Sequence, residues 1–285
     1  MTTRQTFTAT DSGPIWADIT SHTGAVTVTV DPTLTRAQIT VSTPDTEGPA
    51  ADAVRGTTSR EHTSNGVDVL EIRVPKIPSN HMQVGGSSFH FSSGDLDVSQ
   101  YGVVNTGTMT GAVISGGNIW VGGHQVVSNG RVVAQAGTIV TGPGASGHIT
   151  VDVRVPDLSS VRLETTSADL RVAHGDLQVL DVHSVSGDVE AKGVHTLRGN
   201  LTSGDVLVER VEARVDATTV SGDIEIGAYS GTEFRASSVS GDITVSATPA
   251  SDGFFTATTV SGDVATRGAE HLNPRVSTVS GRVRR

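Results

Sequence analysis

Five aspartates, Asp188, Asp205, Asp223, Asp242 and Asp263, recur in the last third of the sequence, each preceded by Ser-Gly. A row of carboxylates could bind calcium, which takes roughly six to eight oxygen ligands, and through it a polysaccharide. It could also supply the paired acids of a glycoside hydrolase or lyase, about 5–9.5 Å apart. Calcium-binding β-rolls carry Gly-Gly-x-Gly-x-Asp in nonapeptide units, and this chain has neither that run nor that period. The hydrolase distance is met by any regular ladder, so it discriminates nothing. Sugar-cleaving clefts also need aromatic stacking surfaces, and Trp16, Trp120, Tyr101 and Tyr229 are the only Trp and Tyr residues. The favoured reading is structural: Asp after Gly in a tight corner accepts backbone N–H groups in an Asx-type turn. The sequence therefore assigns no catalytic residue, no cofactor and no metal, and the chain reads as a non-enzyme.

Other chemical signals are weaker. Gly142-Pro143-Gly144-Ala145-Ser146-Gly147 matches the spacing of a dinucleotide-binding loop. That loop works by aiming pyrophosphate at a helix N-terminus, whereas the β-forming run His148-Ile149-Thr150-Val151-Asp152-Val153 follows here. Ten histidines are scattered without metal-ligand spacing, and the absence of cysteine excludes disulfides and thiolate chemistry. A formal net charge of −10, with no basic stretch before Arg282-Val283-Arg284-Arg285, removes the footprint of a nucleic-acid binder. No apolar run approaches the ~20 residues that span a bilayer. The opening residues lack the apolar core of a secretory leader, so cytoplasmic residence is expected, with the cell surface as the alternative.

The elements that must position the aspartates come from a tandem repeat. With the variants Ser167-Ala168-Asp169 and Ser280-Gly281-Arg282, the repeat serines are spaced 19, 17, 18, 19, 21 and 19 residues apart. Self-similarity at such a period marks stacked units that bury their apolar faces on one another. The third residue after each serine is apolar throughout: Leu170, Val189, Val206, Ile224, Ile243, Val264 and Val283. Val172, Ala191, Val208, Ile226 and Val245 follow two further on. Strand parity carried back through the glycine places Val185, Val220, Val239, Val260 and Val279 on the same inward side, with Ser and Asp outward. A solenoid with strands stacked in parallel fits better than an antiparallel meander, because one constant corner and one length-variable corner keep equivalent residues in register. The expected fold is all-β: a β-solenoid, a right-handed single-stranded β-helix with rungs of ~19 residues. No helix is expected anywhere.

Upstream, strands are expected near 15–19, 25–30 and 37–41. A hairpin should join 60–63 to 67–74 through Asn65-Gly66, where both turn residues take positive φ. The Gly-dense stretch 102–147 suggests tight coils or hairpins. The chain divides into an N-terminal β segment at 1–80 that caps the stack or forms its first rungs, a Gly-rich insertion at 81–150, and the repeat solenoid at 151–285.

With its Ser-Gly-Asp-Val/Ile-x-Val corners over about 150–285, the sequence resembles the bacterial "putative adhesin" β-helix family, a domain of unknown function. The match extends more weakly to Gly24-Ala25-Val26-Thr27-Val28 and to Leu70-Glu71-Ile72-Arg73-Val74-Pro75. The resemblance implies surface attachment and carries no catalytic residues. The structural corners are then Gly187, Gly204, Gly222, Gly241 and Gly262 with their aspartates. Specificity is expected in the variable corners, with Tyr229, Phe254 and Phe255 as exposed anchors. Arg282, Arg284 and Arg285 are read as an end cap that discourages edge-to-edge growth. The partner is a protein or cell-envelope component, and the chain is a monomer or small oligomer. The alternative is a bactofilin-like scaffold polymerising end to end.

Overall fold

The computed structural model describes residues 2–77, 148–272 and 274–284 throughout, and within 78–147 the backbone of short strands. The chain forms two compact units. The first comprises Met1–Pro44, Ala53–Lys76 and His148–Arg285; the second comprises Asp45–Asp52 and Ile77–Gly147.

The first unit is the β-solenoid, of about seven turns with rungs near 19 residues. Each turn contributes one strand to each of two faces. On the first face, the Ile224–Tyr229 strand lies between its counterparts in Val206–Thr219 and Ile243–Ala247, parallel to both. On the second, Glu233–Ser238 lies between the later part of Val206–Thr219 and Phe254–Thr259, again parallel to both. These parallel pairings exclude a meander for the repeats.

The start of the stack is not built in chain order. Thr150–Val155 inserts between Thr23–Val30, to which it is parallel, and Gln38–Thr43, to which it is antiparallel. On the other face Ser160–Thr165 lies between Trp16–Thr20 and the later part of Ser167–Ser184. Antiparallel pairs end both faces here: Gln38–Thr43 with Thr3–Thr8, and Val67–Arg73 with Thr58–Ser64. The second pair is the expected hairpin, with Asn65 and Gly66 at φ 52° and 78°. Its outer strand, Thr-Ser-Arg-Glu-His-Thr-Ser, is exposed at every residue, and such polarity suits an edge that must not recruit another strand.

The interior is a set of ladders. Val26, Val151, Leu170, Val189, Val206, Ile224, Ile243 and Val264 are buried on one face, facing Leu180, Leu197, Val215, Phe234 and Phe255 on the other. Each fully buried aliphatic side chain contributes roughly 1.5–3 kcal/mol, and adjacent rungs supply most of the covering surface.

The expectation for the valines before each serine is corrected. Val185, Val220, Val239, Val260 and Val279 are exposed. Period-2 alternation holds only in extended chain, and the backbone bends at these residues. The inward residue before the bend is the one preceding the valine: Ser184, Thr219, Ser238 or Thr259, all buried. Their hydroxyls stay satisfied inside the corner. Ser184 Oγ accepts the Gly187 N–H at 2.7 Å, and Thr259 Oγ1 donates to the Gly241 carbonyl at 3.0 Å.

The absence of helix is also corrected: among the described residues there is one short α-helix, at Pro49–Arg55. Its signals are present in the sequence: Pro49 opens it where no N–H partner is needed, Asp52 sits in the first turn and Arg55 in the last. A 3-10 turn follows at Glu270–Leu272.

The second unit contains two antiparallel sheets. One joins His81–Val84, Ser87–Ser92 and Asp95–Gln100. The other joins Gly107–Met109, Ala112–Ser115, Asn118–Val121, His124–Ser128 and Arg131–Val132. The stretch expected to hold coils or hairpins thus contains hairpins. The Gly142–Gly147 loop lies outside the described residues, and the strand expected after it is Thr150–Val155.

At each Ser-Gly-Asp corner the glycine sits on the carbonyl of its counterpart one turn before. A Cβ on Gly241 would overlap the Gly222 carbonyl oxygen, and one on Gly222 would overlap that of Gly204. Gly66 is glycine for a different reason: open space surrounds it, and only its φ restricts the residue type. Gly241→Ala is accordingly expected to cost about 3 kcal/mol or more, because two backbones must separate, and Gly66→Ala about 1 kcal/mol. Denaturant unfolding of the two variants should reproduce that order.

Candidate functional site

The corner aspartates form a continuous ladder. The N–H of Asp188 donates to Asp169 Oδ1 at 3.1 Å, that of Asp205 to Asp188 at 3.0 Å and that of Asp223 to Asp205 at 2.8 Å. Asp242 and Asp263 continue it at 2.7 Å each, and Arg282 ends it by donating its N–H to Asp263 Oδ1 at 2.8 Å. Each carboxylate thus accepts a charge-assisted bond from the next turn. The expected Asx turn closes within its own corner; the observed bond ties one turn to the next, which sequence spacing cannot distinguish. On the backbone side, the N–H following each corner donates to the carbonyl of the next turn's aspartate, as Ile224 does to Asp242 at 2.9 Å. Gly187, Gly204, Gly222, Gly241 and Gly262 fill the same corners. Arg284 reaches Asp263 Oδ2 at 3.6 Å; Arg285 lies outside the described residues. Among the described residues, no group of three or more His, Asp or Glu is placed to hold a metal ion.

A second polar row, not anticipated from the sequence, crosses the opposite face. Register aligns Asp18, Arg162, Asp181, Arg198, Asp216 and Arg235 on successive strands, so that charge alternates turn by turn. Opposite charges directly across neighbouring strands stabilise a sheet. The row is densest at its start, where Arg162 bonds the nearly buried Asp181 at 2.9 Å, lies 3.9 Å from Asp18 and stacks 5.5 Å from the Trp16 ring centroid. His183 Nε2 stands 3.2 Å from the other Asp181 oxygen. Burial raises the Asp18 carboxyl above its ordinary range; Arg162 opposes the shift, while Glu164 and Glu71 add to it. Each of these residues sits at an outward strand position, but only the interleaving of residues 16–20 with 160–165 brings them together.

The three expected aromatic anchors divide. Phe254 is exposed, whereas Tyr229 and Phe255 are buried, a correction to their placement at the surface. Phe255 stacks on Phe234 one turn earlier with centroids 4.4 Å apart, and Tyr229 meets Phe234 edge-on at 5.1 Å. Strand alternation decides between the neighbouring phenylalanines, since only one of two consecutive residues can point inward. Burial pushes the Tyr229 hydroxyl well above its usual range, the Glu233 backbone offsetting part of the rise.

A shallow cleft of about 180 Å³ beside the capping hairpin is lined by Asp11, Ile15, Glu61, His62, Asp68 and Leu70 among others. It is smaller than the roughly 300–1,000 Å³ typical of small-molecule sites. No helix among the described residues is long and apolar enough to cross a membrane.

A family model described as Toastrack DUF4097 matches residues 63–282. Among solved structures, the chain is similar to a putative adhesin from Parabacteroides distasonis at 10% identity and a TM-score of 0.47, covering 100% of this chain and 97% of that one. It is also similar to a putative adhesin from Parabacteroides merdae at 11% identity and a TM-score of 0.44, covering 100% and 96%. A putative cell adhesion protein from Clostridium sporogenes aligns at 5% identity and a TM-score of 0.32, covering 100% and 98%. No curated protein matches the sequence.

Two outcomes follow from these geometries. Asp223→Ala removes the acceptor of the Asp242 N–H and should cost about 1 kcal/mol in denaturant unfolding, while Asp223→Asn keeps an acceptor oxygen and should cost less. Asp18 holds its proton more tightly when folded than unfolded, so its contribution is present below the ordinary carboxylate value and is lost as pH rises through the raised value. Asp18→Asn should therefore raise the melting temperature relative to wild type at neutral pH and leave it unchanged at low pH.

Proposed function

The chain belongs to the Toastrack DUF4097 family, and from that premise we propose that it is a non-enzymatic scaffold presenting a rigid, acidic outer surface to a protein or cell-envelope partner. The observation that carries this reading is where the polar chemistry sits. The corner carboxylates hold one turn to the next, outward charges on the opposite face pair locally, as Arg162 does with Asp181 and Arg214 with Asp216 and Glu233, and the interior is filled by apolar ladders. What varies from turn to turn is the outward side chain set at fixed spacing, which suits recognition by a repeating surface. Attachment fits the neighbours described as putative adhesins. Phe254, 79% exposed beside buried Phe255, is the anchor candidate in the variable corner.

Saturable co-sedimentation of the purified protein with envelope preparations from its own host tests the reading, together with cross-linking to envelope proteins. Wild type should bind, and Phe254→Ala should bind at least fivefold more weakly with its melting temperature unchanged. No saturable association by either method would overturn the scaffold reading. Light scattering that grows into filaments at raised concentration would replace it with the end-to-end polymer.

A further inference from the structure

The valines that turn outward before each corner stack into a ridge. Val220, Val239, Val260 and Val279 follow one another on consecutive turns, exposed by 46, 46, 49 and 82%. Val185, 51% exposed, continues the row beyond Thr202. The backbone beneath the ridge is fixed: the N–H groups of Ser240, Ser261 and Ser280 each donate at 2.8 Å to the carbonyl of the valine one turn earlier, Val220, Val239 and Val260. Three residues further round the same corner runs the aspartate ladder. Its Oδ1 atoms are committed to the next turn. No cation among the described residues pairs with Asp188, Asp205, Asp223 or Asp242, whereas Asp263 has Arg284. An exposed apolar stripe thus lies parallel to an uncompensated row of negative charge, both repeating once per turn.

We propose that this corner docks a basic amphipathic α-helix of a partner protein, laid along the stack with apolar side chains on the valine ridge and Lys or Arg over the aspartates. The proposal rests on the scaffold reading and names the chemistry of its partner. Charge selects the class: a second copy, itself at −10, or an anionic lipid surface would place like charge against the aspartate row. Spacing selects the conformation. Turns of the stack repeat about every 4.8 Å, and one face of an α-helix repeats about every 5.4 Å. A helix tilted about 27° to the stack axis therefore stays in step over four turns. An extended strand, whose same-face side chains lie about 6.6–6.8 Å apart, needs a tilt of about 44° to keep step and drifts off the row by about 4.7 Å per turn, against about 2.5 Å for the helix. Apolar positions at i, i+4 and i+7 with flanking cations are what the two rows would read.

The probe is a synthetic 18-residue Leu/Lys peptide patterned as an amphipathic helix. Its control has the same composition in alternating order, and titration is by fluorescence anisotropy at low and raised salt. Wild type should bind the helical pattern saturably and at least tenfold more tightly than the control, with affinity falling as salt rises. The triple variant Val220→Thr, Val239→Thr and Val260→Thr borrows the residue found at Thr202 and should weaken binding at least fivefold. Asp205→Asn, Asp223→Asn and Asp242→Asn retain the acceptor oxygens and should weaken it at least tenfold and flatten the salt dependence. Circular dichroism and melting confirm that both variants are folded. Equal binding of the two peptides, or wild-type affinity in either folded variant, overturns the proposal. Self-association in sedimentation equilibrium that the threonine variant abolishes would assign the ridge to a second copy and overturn it as well. The same variants are run in the envelope assay. Envelope binding without preference for the helical peptide removes the ridge and leaves the scaffold reading standing. Helix preference without envelope binding or cross-linked partner supports the ridge and removes the envelope reading.

Discussion

The structure depends on how closely two backbones approach at one corner. Each corner glycine rests on the carbonyl of its counterpart a turn earlier, Ala168 for Gly187 and a glycine for those that follow, at a separation that no Cβ can enter. That contact sets the rung spacing, and the rung spacing permits everything stacked above it. Apolar side chains on successive turns touch their equivalents, and an aspartate can bond the N–H of its own counterpart. Stability is therefore shared between neighbours along the stack, as in other repeat proteins, and the corners at Gly187, Gly222 and Gly241 place three kinds of group in fixed order: a buried hydroxyl, an exposed valine and an exposed carboxylate.

That order explains why the solenoid carries so much regular surface. Extended strands can hide every second residue, but a bend releases the alternation and exposes whatever falls there. In this chain the residue released is most often valine, beside an aspartate whose charge also faces solvent. The opposite face follows another rule. There the outward residues on neighbouring strands alternate in sign along Asp18, Arg162, Asp181, Arg198, Asp216 and Arg235, and several are ion-paired on that face, Arg162 with Asp181, Asp216 with Arg214 and Arg235 with Glu233. The two regions differ in what they leave unsatisfied, and the corner row from Asp188 to Asp242 presents charge with no ion pair among the described residues.

The first turns solve a separate problem. A solenoid exposes unpaired strand edges, and here the initial strands are threaded among strands from residues 150–165 before antiparallel pairs close both faces. The threading ties the beginning of the chain to the repeats through contacts that span more than a hundred residues, and it assembles the Trp16, Asp18, Arg162 and Asp181 cluster.

By itself the sequence determined the repeat and what a repeat entails. The corner glycines and aspartates, the apolar ladders after them, the all-β class and the Asn65-Gly66 hairpin all follow from local spacing and turn chemistry, because each involves residues close in the chain or equivalent by period. Tertiary structure alone decided what depends on register and on bends. It sent the corner valines outward and drew Ser184, Thr219, Ser238 and Thr259 inward, because parity fails where the chain is not extended. It buried Tyr229 and Phe255 against Phe234 while leaving Phe254 exposed, because neighbouring turns, absent from local sequence, fill one side of the strand. It paired Asp18 with Arg162, 144 positions away in the numbering, because interleaving strands obey hydrogen-bond register rather than chain order.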